Sequence, residues 1–145
     1  MRVGLGQFRE MSEEMLTFIK QLGVDDFLMN TPILPGEHRW ETEDLSVLKE
    51  RADRAALRLM SLENVPTTFY DKVMLGLPGR DEQIEHMQTT IRNMGEAGIP
   101  ILGYAFMPTG VWRTSADTPV RGGAVATAFH YETARAAGAR DESPF

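Results

Sequence analysis

Apolar positions along the chain keep two alternating rhythms. Met15, Leu16, Phe18, Ile19 and Leu22 recur at the three-and-four spacing of a helix with one apolar face. Ser12 stands where it caps that helix, Glu13 and Glu14 occupy the first turn, where the helix dipole favours acids, and Gly23 stops it. On either side the period shortens: RVGLGQF (2–8) reads as a first strand and VDDFLMN (24–30) as a second, followed by a loop with Pro32, Pro35 and Gly36. A second helix starts near Thr42 and turns Leu45, Leu48, Ala52 and Ala55 inward, and LRLMSLEN (57–64) is the third strand. The stretch ENVPTTFYDKVMLGLPGRD (63–81) shows neither period and reads as a long irregular loop. Asp81 is the expected cap of a third helix with Ile84, Met87, Ile91 and Met94 on its buried stripe, ended by Gly98. After Pro100 the segment ILGYAFM (101–107) is a fourth strand, with a second long loop over 108–122. GAVATAF (123–129) and YETARAAGA (131–139) fit either a short strand and helix or one continuous helix.

Strands separated by helices imply a parallel sheet built from right-handed crossovers, an α/β fold. A complete (β/α) barrel takes about 250 residues and eight strands, and the 145 residues hold about half of that. In these sheets the functional loops follow the carboxyl ends of the strands. That rule marks 7–9, 30–40 and the loops after Glu63 and Met107.

Composition narrows the partners. With 42% hydrophobic and 25% charged residues the chain is an ordinary globular one, and a formal charge of −6 disfavours nucleic acid and anionic membranes. The most basic segment, KERADRAALR (49–58), is interrupted by Glu50 and Asp53 at helical spacing and reads as a solvated helix face. Absence of cysteine excludes disulfides and thiolate metal ligands within these residues and fits a reducing compartment. The N-terminal MRVGLGQFREMSEE turns acidic before any long apolar run, so neither a signal peptide nor a membrane span is expected, and a cytoplasmic location is.

Among chemically active residues, GLGQFR begins like a dinucleotide-binding loop, but Arg9 occupies the third glycine position, and strand glycines are the better reading. His38, His86 and His130 are scattered, with no pair at the four-residue spacing of metal ligands. His86, beside the apolar stripe, reads as a helix-surface residue, and His38, in the loop after the second strand, as a functional candidate. Asn30, Glu63 and Asn64 stand at strand ends, where a barrel places catalytic carboxylates and substrate hydrogen bonds. Trp112 and Arg113 pair an aromatic wall with a guanidinium that binds carboxylates in bidentate fashion; an exposed loop arginine is the plainer alternative. Met15, Met87 and Met94 fall on helical core faces as packing residues, and no nucleophile-elbow sequence supports acyl transfer.

One long stretch is more specific. GRDEQIEHMQTTIRNMGEAGIPILGYAFMPTGVWRTS (79–115) resembles the mannonate dehydratase family, in which an RDE helix start, an IRN-GEAGI helix end, a strand, FMP and a loop ending in Trp, Arg and Thr follow in that order. LENVP (62–66) is similar to the end of that family's third strand. The resemblance implies a xylose-isomerase-like TIM barrel of (β/α) type, of which residues 1–145 are the N-terminal half and incomplete alone, and which dehydrates D-mannonate to 2-dehydro-3-deoxy-D-gluconate in glucuronate catabolism. It also implies Mn2+ or Fe2+ as a Lewis acid, and gives Arg113 an anionic sugar-acid substrate to bind. The family's metal ligands, which include histidines, a cysteine and an aspartate, belong to the second half of the barrel. No metal ligand and no catalytic base is therefore assigned here, and the 145-residue chain alone is expected to be inactive. Two unpaired sheet edges and the exposed apolar inner faces of a half barrel also lead us to expect that the isolated chain aggregates, self-associates or stays partly molten, with a homo-oligomer as one form. The alternatives are a sugar-acid isomerase or epimerase on the same barrel, and a non-catalytic half-barrel that binds a partner.

Overall fold

A computed structural model describes residues 1–106 and 111–138, which fall into two compact units divided after Phe106. In the first, β1 (Gly4–Phe8), α1 (Glu13–Gln21), β2 (Asp26–Asn30), α2 (Thr42–Arg54), β3 (Arg58–Glu63), a 3-10 turn (Thr67–Phe69), α3 (Asp71–Leu75), α4 (Arg80–Glu96) and β4 (Ile101–Gly103) follow one another. The four strands are parallel and ordered β1-β2-β3-β4. Each strand lies beside its successor, the order of a barrel; a doubly wound sheet reverses direction at a switch point. The fold is thus α/β of (β/α)-barrel type, as the alternation predicts.

Local chemistry accounts for the elements. The Ser12 hydroxyl accepts from the Met15 N–H at 3.1 Å and starts α1. Phe27 and Met29 of β2 and Leu59 and Leu62 of β3 are buried against Leu16 and Ile19 of α1 and Leu45 and Ala52 of α2, each large side chain worth about 1.5–3 kcal/mol relative to exposure. Register explains the uneven spacing of Leu59 and Leu62: Phe27 pairs with Leu59 but Leu28 with Ser61, so Met60 is an extra residue that restores both leucines to the helix-covered face. Gly6 lets β1 approach its neighbour, since a Cβ there would lie 2.4 Å from Leu28 Cγ. That is the strand-glycine role, and no phosphate cradle is formed.

Several expectations are corrected. Phe18 and Leu22 lie outside the buried face of α1, at 49% and 52% exposure. The irregular stretch 63–81 contains the 3-10 turn and α3. Helix α4 begins at Arg80 with Gly79 as its cap residue, so Asp81 sits inside the first turn, where it complements the dipole without capping. Its buried stripe is rotated: Gln83, Thr90, Asn93 and Met94 are buried while Ile84 and Ile91 are exposed, because the polar side chains bind backbone of adjoining segments. Strand β4 covers only Ile101–Gly103 of the expected 101–107, and Met107 lies outside the described residues.

In the second unit β5 (Ser115–Pro119) and β6 (Val125–Ala128) form an antiparallel hairpin, followed by α5 (Tyr131–Ala137). The strand-and-helix reading of 123–139 therefore holds over 125–137. The presumed loop 108–122 carries β5, with 107–110 outside the described residues.

Candidate functional site

The carboxyl ends of β1, β2 and β3 bring polar side chains together. Asn30 and Glu63 are register partners at the last rungs of β2 and β3, and Glu63 also pairs with Gly103 of β4. Beyond these rungs the chain turns sharply: Thr31 and Asn64 adopt left-handed backbone, φ 43° and 64°. Asparagine tolerates that region, whereas a β-branched threonine rarely visits it, and such residues concentrate at functional sites. Each still contributes one ladder bond, Thr31 N–H to the Glu63 carbonyl and Asn64 N–H to the Gly103 carbonyl, both 2.8 Å.

Side chains are cross-linked in two pairs. Gln7 Nε2 donates to Glu63 Oε2, reaching from β1 past β2. Asn30 Oδ1 accepts from Asn64 Nδ2 at 3.3 Å and from Thr31 Oγ1 at 2.9 Å. The second Glu63 oxygen and the Asn30 amide nitrogen have no hydrogen-bond partner among the described residues. A half-buried carboxylate acceptor beside an amide donor, each already oriented by one arm, matches the alternating donors and acceptors of a polyol.

Of the sequence candidates, Asn30, Glu63 and Asn64 are thereby brought together. His38 is not part of that cluster; it lies on an exposed turn with its ring stacked against His86. Trp112 and Arg113 belong to the second unit, where the half-buried Trp112 packs edge-on against Phe129 at 6.1 Å and Arg113 Nη1 donates to the Trp112 carbonyl at 3.4 Å. Sequence reasoning missed Gln7 as an individual residue, although the strand-end rule marked its loop. His86, read as a helix-surface residue, is half-buried on α4 and stacks on the His38 ring.

Among the described residues no three His, Asp or Glu side chains group so as to hold an ion, and the chain has no cysteine. These residues do not form a ligand set for catalytic manganese or iron. The opposite end of the sheet serves stability: Asp26, 6% exposed, is bound by Arg58 and lies 2.9 Å from Arg2. The Arg58 hydrogen bond holds the Asp26 carboxyl below the usual carboxylate range against the opposing effect of burial, and Arg2 adds to the lowering. Among the described residues no helix is long and apolar enough to cross a membrane.

The profile of the D-mannonate dehydratase (UxuA) family matches residues 1–141. A mannonate dehydratase of Streptococcus pneumoniae is 36% identical over 97 residues, covering 66% of this chain and 26% of that protein. One from Thermotoga neapolitana is 40% identical over 90 residues, covering 62% and 24%. The crystal structure of mannonate dehydratase from Streptococcus suis serotype 2 superposes with a TM-score of 0.80 at 28% identity, covering 97% of this chain and 40% of that one. The chain thus spans about a quarter of the length of these curated relatives. On a match that runs through nearly all of its residues, the chain belongs to the D-mannonate dehydratase family.

Proposed function

We propose that the protein carrying these residues dehydrates D-mannonate to 2-dehydro-3-deoxy-D-gluconate, as a cytoplasmic enzyme of glucuronate catabolism. The family match over residues 1–141 carries this reading, and the strand-end cluster supplies its local chemistry. The reaction removes the proton from C2, next to the substrate carboxylate, and the hydroxyl from C3. In this reading Glu63 accepts a hydrogen bond from one substrate hydroxyl while Asn30 donates to a neighbouring oxygen. Gln7 and Asn64 are positioning residues that hold those two side chains in register.

Mn2+ or Fe2+ as Lewis acid belongs to this proposal on the strength of the resemblance, with ligands outside the described residues; no step is routed through it. The catalytic base is likewise left unassigned within 1–145, so the isolated segment should show no turnover. The test is product analysis with D-mannonate and the full-length protein. Loss of one water with appearance of a keto-deoxy acid supports the proposal. An isomer of unchanged mass replaces it by an isomerase or epimerase, and absence of any turnover points to a non-catalytic half-barrel.

A further inference from the structure

Alternation along β2 and β3 decides which way the strand-end residues face. Met29 and Leu62 are buried against the helices, so Asn30 and Glu63, which follow them and pair on the last rung, lie together on the opposite face of the sheet. The chain then turns at Thr31 with φ 43°, a left-handed conformation that a β-branched residue rarely adopts. A turn alone is better served by glycine or asparagine, and Asn64 fills the equivalent position after β3 with φ 64°. What threonine adds is its hydroxyl: the turn carries Oγ1 back onto the preceding side chain, where it donates to Asn30 Oδ1 at 2.9 Å.

We propose that Thr31 is a positioning residue that locks the Asn30 amide, so that Asn30 meets a ligand only as a hydrogen-bond donor. An amide oxygen has two lone pairs, and two donors already approach the one on Asn30: Thr31 Oγ1, and Asn64 Nδ2 at 3.3 Å. The oxygen is thereby turned toward the protein, and the amide nitrogen is left without a partner among the described residues. Glu63 selects this orientation over the flipped one. Its carboxylate stands on the neighbouring strand, about 4.8 Å away in the pairing direction, and its charge favours an NH2 group beside it over a carbonyl oxygen. A ligand must therefore present an acceptor oxygen to Asn30 and a hydroxyl to the free oxygen of Glu63, which adjoining positions of a sugar acid provide. The identity of that ligand rests on the dehydratase reading; the locking of the amide does not.

Two variants of the full-length protein provide the test. Thr31→Val keeps the branched shape and the N–H that bonds the Glu63 carbonyl at 2.8 Å but removes the hydroxyl, whereas Thr31→Ser keeps the hydroxyl. With D-mannonate, Thr31→Val should raise KM about 3- to 10-fold and leave kcat within about twofold, the signature of one neutral hydrogen bond made alike in ground and transition states. Thr31→Ser should recover most of that loss. Unchanged KM in Thr31→Val, or an equal loss in Thr31→Ser, would overturn the proposal. Nuclear magnetic relaxation of the Asn30 side-chain amide, identified by its disappearance in Asn30→Asp, gives a second readout that needs no turnover. It should report an ordered group in the wild type and Thr31→Ser and a mobile one in Thr31→Val, and equal order in all three would reject the lock. A wild type that does not dehydrate D-mannonate removes the dehydratase reading, and the relaxation comparison then decides on Thr31 by itself.

Discussion

A single carboxylate at each end of the sheet does opposite work. Gln7 holds one oxygen of Glu63, and the other has no hydrogen-bond partner among the described residues. We expect Glu63→Gln to lower kcat/KM on D-mannonate by about 10- to 100-fold, the equivalent of ~1.5–3 kcal/mol for a hydrogen bond to a charged group, and Gln7→Ala to lower it less. Steady-state kinetics on folded variants decides, and unchanged kcat/KM in Glu63→Gln would remove this residue from the site. Asp26 has both oxygens taken by Arg58 and Arg2. Since its carboxyl is held below the ordinary value, chiefly by the Arg58 hydrogen bond, its stabilising contribution is complete above the unfolded-state pKa of about 4 and is lost as the pH falls through the lower folded value. Asp26→Asn should therefore flatten the acid limb of a stability-versus-pH curve while costing stability at neutral pH; an unchanged acid limb would contradict this.

At the scale of elements, α4 shows why hydrophobic period alone misleads. Ile84, Met87, Ile91 and Met94 have the right spacing, yet Ile84 and Ile91 are exposed while Gln83, Thr90 and Asn93 share the buried face with Met94. Gln83 accepts from the Lys72 and Val73 N–H groups and donates to the Thr68 carbonyl and to Asp71, tying α3 and the preceding turn to α4. Loops with unpaired backbone groups need partners, and a buried polar side chain that saturates them costs little. Asn93→Ala would leave the Trp40 carbonyl without its partner, and should destabilise by about 1–3 kcal/mol in urea unfolding. A change below a few tenths of a kcal/mol would mean that water replaces the amide.

For the whole molecule the question is what covers its open surfaces. Among the described residues β1 and β4 each have one hydrogen-bonded neighbour, and Ile84, Ile91, Tyr104 and Phe106 are 40–76% exposed around an apolar groove that Leu102 and Phe69 floor. Residues 1–145 produced alone should self-associate with rising concentration in sedimentation velocity, as open edges and contiguous apolar surface predict; a monomer with one sharp melting transition would refute that. The sequence by itself determined the alternation of β1 to β4 with α1, α2 and α4, the parallel sheet and the strand-end positions of Asn30, Glu63 and Asn64, but not α3 or β5, because period, caps and breakers act over a few residues. Only the tertiary structure decided that Gln7 reaches Glu63 from two strands away, that Met60 shifts the register of β3, and that His38 meets His86. Gln7 and Glu63 lie 56 positions apart, the register partners Phe27 and Leu59 lie 32 apart, and His38 and His86 lie 48 apart, and chain spacing carries no signal at that range until packing has closed the intervening loops.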